Sequence, residues 1–202
     1  VAKWSDGLDS MRLYGMGMMK GTASVDGAKY EGVGVRFRGD KSYVMGLKRN
    51  PMSIRLNHSD PNARHQGYTA LKLSSALRDP SLVREMLFTE IASKYMPMPQ
   101  MSYTKLYINE EYVGIFVNIE NIEEQFLKNN YNSANNTLIK AGVDYPAASA
   151  AGCKLGIYAS LEYEDNEECY KNNFETAQTS AWSDLKELAR VLNTETSKIQ
   201  TV

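Results

Sequence analysis

The stretch VGVRFRGDKSYVMGLKRNPMSIRL, residues 33–56, combines a flexible turn with positive charge. Gly39 permits a tight backbone turn there, because glycine has no Cβ. The polar and cationic residues that follow it are Asp40, Lys41, Ser42, Lys48, Arg49 and Arg55. A glycine turn among cations is typical of a phosphate-binding loop, since backbone N–H groups and positive charges attract the anion. A solvated loop between two strands explains the same residues, so both interpretations stay open.

The histidines, cysteines and clustered acids give weaker signals. His58 and His65, the only two histidines, lie in a polar loop, which predicts surface residues rather than metal ligands. Cys153 and Cys169 fall in one segment, where a disulfide and two free thiols fit equally well. An acidic cluster lacks the spacing of a calcium-binding loop and therefore predicts a solvated loop; its members are Glu162, Glu164, Asp165, Glu167 and Glu168.

Composition narrows the class of protein. The chain has 202 residues, of which 43% are hydrophobic and 23% charged, and its formal net charge is −1. These values are ordinary for a globular protein. A near-neutral charge argues against bulk binding of nucleic acid, and no apolar run approaches the roughly 20 residues that span a bilayer. We therefore expect no nucleic-acid partner and no membrane span.

Hydrophobic periodicity predicts strands in the first third of the chain and a helix after them. Apolar and polar residues alternate near residues 32–38, 52–57 and 68–74, as in half-buried strands. The spacing then changes, and Leu82, Met86 and Ile91 predict the buried side of a helix. We expect this helix to begin at Pro80 with Asp79 as its N-cap. It should end near Tyr95, before two prolines.

The second half begins with a hairpin and then becomes helical. Strands near residues 103–108 and 113–119 flank a turn at 109–111. A helix follows Glu120, residues 143–172 resemble an irregular insertion, and the chain closes with an amphipathic helix. The expected buried stripe of that last helix is Trp182, Leu185, Leu188 and Leu192. This order predicts an α+β fold, with a sheet lobe at residues 1–120 leading into a helical lobe at 121–202.

Six segments of the chain follow one another in a recognisable order: GVRFRGDKS, KRNPMSIRL, GYTALKLSSALRDPSLVREML, LYINEEYVGIFVNIENIEEQFL, NTLIKAG and LEYEDNEECYKNNFETA. In this order they resemble the CotH family of atypical protein kinases, named for spore-coat protein H. The resemblance implies a protein-kinase-like small lobe, an antiparallel sheet with one packed helix. It also implies transfer of phosphate from ATP, with Mg²⁺ or Mn²⁺, to serine in a protein substrate. Members occur in spore coats or at the bacterial cell surface, including cellulosome-like assemblies.

The resemblance implies a set of nucleotide-binding residues in this chain: Gly39, Asp40, Lys41, Ser42, Arg49, Arg55, Glu85 and Glu120. Arg49 and Asn50 stand where two lysines are common in the family, and Ser53 stands where a lysine or arginine is common. We therefore expect Arg49 or Arg55 to be the strand cation that pairs with Glu85 or Glu90 on the helix. Backbone groups near Glu120, at residues 118–122, would bind the adenine.

The family's catalytic and metal-holding carboxylates occur in later segments. We therefore expect them beyond Val202, name no metal ligand in this chain, and expect the chain alone not to phosphorylate anything. The rest of the parent chain would then be a partner. The alternative is a non-catalytic interaction module that retains the fold. In that case a partner surface would include Met11, Met16, Met18 and Met19.

Overall fold

The computed structural model describes residues 3–15, 17–39, 41–134, 137–142, 153, 159–171, 173–176, 178 and 180–194. The chain forms two compact units, Val1–Ala134 and Asn135–Val202, and each is described by itself. The sequence predicted a boundary after residue 120, whereas the contacts group residues 121–134 with the sheet. None of the described helices is long and apolar enough to cross a membrane.

Unit 1 is a mixed α+β unit built on a curled, six-stranded antiparallel sheet. Its helices are α1 (Trp4–Leu13), α2 (Arg84–Ala92) and α3 (Glu124–Tyr131), with a 3₁₀ turn at Leu56–His58. Its strands are β1 (Met19–Val25), β2 (Ala28–Phe37), β3 (Met52–Arg55), β4 (Ala70–Ser74), β5 (Met101–Ile108) and β6 (Glu111–Ile119). The strand order is β1-β2-β3-β4-β6-β5. The five predicted strands are confirmed, and β1 is an additional strand.

The apolar core of unit 1 lies on one face of this sheet. Alternating residues of β2, β3, β4 and β6 meet there, because side chains in a strand point to opposite faces in turn. The buried residues include Phe37, Met52, Leu73 and Phe116, each at most 2% exposed. Leu8 of α1 packs against this cluster. The period of two in the sequence therefore identified the buried face.

Helix α2 begins later than predicted and presents a different side to the sheet. It starts at Arg84 rather than Pro80, because Leu82 takes a left-handed conformation with a φ of +61°. Asp79 still caps the helix from a distance, since its carboxylate accepts the Arg84 N–H at 2.8 Å. The predicted inward position of Ile91 is wrong, because this residue is 52% exposed. Glu85 lies nearer the sheet, as its hydrogen bond to Ser74 of β4 shows.

Unit 2 is held by a disulfide and a small apolar cluster. Its elements are β7 (Lys140–Ala141), α4 (Glu168–Lys171), β8 (Phe174–Glu175) and α5 (Ala181–Thr194). Cys153 and Cys169 form a disulfide, which decides between the two states left open by the sequence. Leu185 of α5 is buried, but Leu188 is 48% exposed, so its predicted burial is wrong. Most of the predicted insertion at 143–172 lies outside the described residues.

Two predictions about solvated polar residues need correction. Glu164, assigned to a solvated acidic loop, is buried, and its N–H donates to the Tyr170 hydroxyl at 2.8 Å. His65 is half-buried, since its ring nitrogens contact the Tyr30 hydroxyl at 2.9 Å and Asp26 at 3.2 Å. His58 is exposed, as predicted. Local polarity therefore failed to predict burial where a distant tyrosine provides the partner.

Candidate functional site

The loop between β2 and β3, residues 38–51, contains the predicted phosphate turn. Gly39 has a φ of +83°, a conformation that side chains disfavour, and a Cβ there would collide with the Ser42 hydroxyl. The Gly39 carbonyl accepts a hydrogen bond from the Arg12 guanidinium of α1 at 2.6 Å. Lys41 is exposed, and Asp40 lies outside the described residues. The glycine turn is therefore real, and it is anchored to α1.

Asn50 organises this loop from inside. The side chain is fully buried, with 0% exposure. Its amide oxygen accepts the Val44 N–H at 2.8 Å, and its amide nitrogen donates to the carbonyls of Val44 and Leu47 at 2.7 and 2.8 Å. A residue that departs from the family pattern, where lysine is common, therefore has a structural role. The buried amide replaces a potential phosphate contact with three backbone contacts.

Asp9 of α1 fixes the same loop from outside. Its carboxylate accepts the Tyr43 hydroxyl at 2.5 Å and the Gly46 N–H at 3.0 Å. Burial, together with the hydrogen bond to Asp9, raises the pKa of Tyr43 to about 12. Tyr43 consequently keeps its proton, and its hydrogen bond to Asp9, in alkaline solution that would ionise an ordinary tyrosine. Helix α1 thus determines the conformation of the loop.

The cations at the end of the loop contact the β5–β6 hairpin. Lys48 forms an ion pair with Glu111. The Arg49 guanidinium donates to the Ile115 carbonyl at 2.8 Å and lies 5.6 Å from the centre of the Phe116 ring. Arg49 therefore has a partner on β6 and does not pair with a helix glutamate.

Arg55 also lies away from α2. Its guanidinium is 3.8 Å from the Glu123 carboxylate, a half-exposed pair. The predicted pairing of Arg49 or Arg55 with Glu85 or Glu90 is therefore wrong. The structure distributes the predicted site residues over several places instead of one. Whether any of them contacts a nucleotide stays a prediction.

A different set of cations lies on the sheet face that α2 partly covers. The strand register places Arg36 opposite Ser53, Ser53 opposite Lys72, and Lys72 opposite Ile119, so these side chains share one face. Arg38 belongs to the same face, because it lies two residues beyond Arg36. We call Arg36, Arg38 and Lys72 the cation face.

Glu85 of α2 is the acid beside the cation face. One carboxylate oxygen, Oε1, accepts the Ser74 hydroxyl at 3.0 Å, and Oε2 is buried without a hydrogen-bond partner among the described residues. Burial lowers the pKa of the Arg38 guanidinium, the Glu85 charge raises it, and the Arg36 charge lowers it. Among these arginines, Arg38 is therefore the one whose pKa the Glu85 charge raises, although the two side chains, both among the described residues, form no direct ion pair.

This arrangement is chemically suited to bind a phosphate. Arginine offers a planar set of donors that matches phosphate oxygens, and lysine adds a mobile point charge. The sequence contained a signal for it, since the spacing of Arg36 and Arg38 places both on one face of a strand. Lys72, in the strand that precedes the helix, was missed because the strand residues were interpreted only in terms of burial.

Glu120 directly follows β6, at the open end of the β5–β6 hairpin. Its N–H donates to the Gln100 carbonyl at 2.8 Å, and its Oε2 accepts the Gln100 N–H at 2.8 Å. The other oxygen, Oε1, is buried without a hydrogen-bond partner within the described part of the chain. Burial and the Glu120 charge raise the pKa of the nearby Tyr68 hydroxyl. The Glu120 N–H, one of the backbone groups at 118–122 predicted to bind adenine, thus already donates to the Gln100 carbonyl.

The family model for the CotH kinase protein matches residues 35–201. The chain belongs to the CotH kinase family. None of the curated proteins compared with the chain matches it significantly. The CotH match begins within β2 and includes the cation face, the loop at 38–51, α2 and the β5–β6 hairpin. In this CotH chain, the described residues contain no group of three or more histidine, cysteine, aspartate or glutamate side chains that could hold a metal ion.

Proposed function

We propose that this CotH-family chain carries the nucleotide-facing part of a kinase-like lobe, in a protein that transfers phosphate from ATP to serine of a protein substrate. The observation that carries the proposal is the position of Glu85 beside the cation face. In protein kinases, a strand cation paired with a glutamate of the neighbouring helix binds the ATP phosphates. Here the strand cations would be Arg38 and Lys72, and the family membership supports the same activity.

The residues of the cation face would act by position and charge. Phosphoryl transfer needs little covalent chemistry from the protein, so aimed cations stabilise the charge that develops on the phosphate. Glu85 would orient Arg38, and Arg38 and Lys72 would then bind phosphate oxygens. The described residues do not fit a bound Mg²⁺ or Mn²⁺, since no suitable group of ligands is present among them. No step is therefore assigned to a metal in this unit.

The proposal is tested by ATP binding to the chain, measured by isothermal titration calorimetry. Arg38→Met should weaken binding about tenfold or more, which corresponds to about 1.4 kcal/mol. Lys29→Met is the matched control, because Lys29 is a cation on β2, the strand that ends next to Arg38, and it pairs with Glu31 in solvent. This control should bind ATP like the parent chain. Equal affinity of Arg38→Met and the parent chain, with both folded by circular dichroism, contradicts the proposal.

A second candidate function is a non-catalytic interaction module. The observation that favours it is the exposure of apolar side chains on α2: Leu87 is 50%, Phe88 66% and Ile91 52% exposed. The methionines predicted to form a partner surface give weaker support for an interaction module than the exposed side chains of α2 do. Met19 packs against the core and Met18 is half-buried, whereas Met16 lies outside the described residues. An unaltered fold that binds no ATP would favour this function.

The location we propose is a spore coat or a bacterial cell surface. The Cys153–Cys169 disulfide supports an oxidising compartment, because cytosolic thiols are kept reduced. The family name points to the spore coat. Quantifying free thiols in protein isolated from its natural source tests this part, and two free thiols in the native protein would contradict it.

A further inference from the structure

Unit 1 has a partly open cavity of about 700 Å³ on the concave side of the sheet. The inner strands β2 and β3 contribute one side chain each to its lining, Val35 and Ile54, and β4 adds Leu71 and Leu73 among others. The strand register places these four side chains on one face. The floor of the cavity is therefore the apolar concave face itself.

The two edge strands contribute to the cavity in a different way. Residues 22–26 of β1 and its turn line the cavity without a gap, and so do residues 100–107 along β5. Since neighbouring side chains of a strand point to opposite faces, an unbroken run lines a cavity only where the edge of the strand faces it. The cavity is consequently a groove with a strand edge along each side.

Both edges have free hydrogen-bonding capacity. In the six-stranded sheet, β1 pairs only with β2 and β5 pairs only with β6. No further backbone hydrogen bond of residues 22–25 or 102–107 occurs among the described residues. Edge strands with unpaired N–H and C=O groups accept an additional strand readily. The groove therefore offers backbone partners on two sides.

One end of the groove carries two buried acceptor oxygens without a hydrogen-bond partner among the described residues, near the Tyr68 hydroxyl, which also lines the groove. Glu120 is only 8% exposed, lines the groove, and keeps its buried Oε1 without a hydrogen-bond partner among the described residues. Asn118, also in the lining, keeps its Oδ1 unpartnered within the same described region. Asp26 adds a second carboxylate at the β1 turn, which is exposed and contacts His65 Nε2 at 3.2 Å. This chemistry calls for a donor, preferably a positively charged one.

We propose that the groove between β1 and β5 docks an extended peptide segment of a partner protein, which adds to the sheet as a strand and directs a lysine or arginine toward Glu120. Strand addition combines backbone hydrogen bonds for affinity with side-chain pockets for specificity. The 22–26 wall is about 17 Å long at roughly 3.3 Å per residue, enough for five residues. Since β1 and β5 occupy opposite ends of a six-stranded antiparallel sheet, they run antiparallel to each other.

The incoming strand can run antiparallel to only one wall, and the longer β5 is the expected one, because antiparallel pairing is slightly more stable. Alternate side chains of the peptide then face the apolar floor. The partner is thus an extended segment with apolar residues at every second position and one basic residue. This inference needs neither ATP nor the cation face, so it stands apart from the proposed kinase activity.

The experiment uses a fluorescent eight-residue peptide of alternating threonine and valine with one central lysine, and measures its anisotropy with the whole chain. Three peptides are compared: the parent peptide, one with glutamate in place of lysine, and one with alternate backbone nitrogens methylated. Methylation removes the N–H donors and keeps the side chains. On the protein side, Ser102→Trp fills the groove from β5. Its control is Asn62→Trp, which places the same side chain on an exposed loop outside the groove lining.

We expect saturable binding of the lysine peptide. The glutamate peptide, the methylated peptide and the Ser102→Trp chain should each weaken it about tenfold or more, while Asn62→Trp leaves it unchanged. Glu120→Gln should remove the preference for lysine over glutamate. Hydrogen exchange should slow at β1 and β5 in the complex and stay unchanged at β3.

Four results overturn the proposal. They are absence of binding up to about 1 mM peptide, equal binding of the methylated peptide, equal binding by Ser102→Trp, and protection of α2 instead of β1 and β5. Circular dichroism of each variant establishes that it is folded before its affinity is interpreted. The peptide comparisons use the unaltered chain, so they remain decisive if a variant fails to fold.

Discussion

Replacing Asn50 with alanine removes a fully buried amide that makes three hydrogen bonds to the backbone of the 38–51 loop. The Val44 N–H and the carbonyls of Val44 and Leu47 then lose their partner. At about 1 kcal/mol for each hydrogen bond, the expected loss is about 3 kcal/mol. This is a large fraction of the roughly 5–15 kcal/mol that stabilises a typical domain. With a urea m-value of about 2 kcal/mol per molar, the unfolding midpoint should fall by about 1.5 M.

The measurement can be confined to unit 1. The chain has two tryptophans, Trp4 in unit 1 and Trp182 in unit 2. In a Trp182→Phe background, fluorescence therefore reports urea unfolding around Trp4, which packs 6.2 Å from the Phe37 ring. Asn62→Ala is the matched control, because Asn62 is an exposed loop residue of the same unit. It should change stability by less than about 0.5 kcal/mol.

Asn50→Lys separates the structural role from the family pattern. If Asn50 were only a substituted phosphate-binding residue, the lysine would improve ATP binding without loss of stability. The structure instead predicts destabilisation at least equal to that of Asn50→Ala, because an ammonium group cannot accept the Val44 N–H and must be buried. Unchanged stability of Asn50→Lys, or of Asn50→Ala relative to Asn62→Ala, would refute the reasoning.

Three further perturbations follow from the same contacts. Hydrogen bonds from the Ser81 hydroxyl and then the Arg84 N–H hold the pKa of Asp79 below its usual 3.8, so Asp79 stabilises unit 1 above that pH and the stabilisation is lost as the pH falls through the lower folded pKa. Asp79→Asn should therefore reduce the fall of the urea midpoint in acid, and an unchanged acid dependence of the midpoint contradicts this. Reducing the disulfide, which closes a separation of 16 residues, should destabilise unit 2 by about 3 kcal/mol and leave unfolding of unit 1 unchanged, as monitored by the tryptophan of each unit. Arg49→Met should destabilise unit 1 by about 1–2 kcal/mol through its lost contacts with β6, and Arg49→Lys should recover little of it, because the planar donor set is absent; full recovery in a urea titration contradicts the assigned contacts.

The sheet could be predicted from sequence because burial of one face imposes a period of two. Met52, Leu73 and Phe37 obey that rule, and all three are buried. The α2 boundary could not be predicted as well. Its start depends on the left-handed conformation of Leu82, and local composition contains no signal for that conformation.

The candidate site was harder to predict, because contacts with residues that are distant in sequence determine where its cations lie. Lys48 and Glu111 are 63 positions apart in sequence, yet they form an ion pair. The sequence therefore suggested that the cations of the loop could bind phosphate, although at least one of them, Lys48, pairs with the hairpin instead. Glu85 lies on α2 as expected, but Arg49 and Arg55 lie elsewhere, and a role for Glu85 at a nucleotide site stays a prediction. The position of Arg38 on the face beside Glu85 depends on the register of β2 against β3, which spacing alone does not determine.

Helix α1 has a consequence for how this family is delimited. The family match begins at Val35, in the middle of a strand, whereas Leu8 and Val33 belong to the same buried cluster as Phe116. Asp9 and Arg12 also hold the 38–51 loop that lies inside the matched region. The stretch recognisable by sequence is therefore shorter than the stretch that folds together. A recombinant fragment cut at the start of the match would lack the helix that covers its core, so comparisons of CotH proteins should include the less recognisable residues upstream.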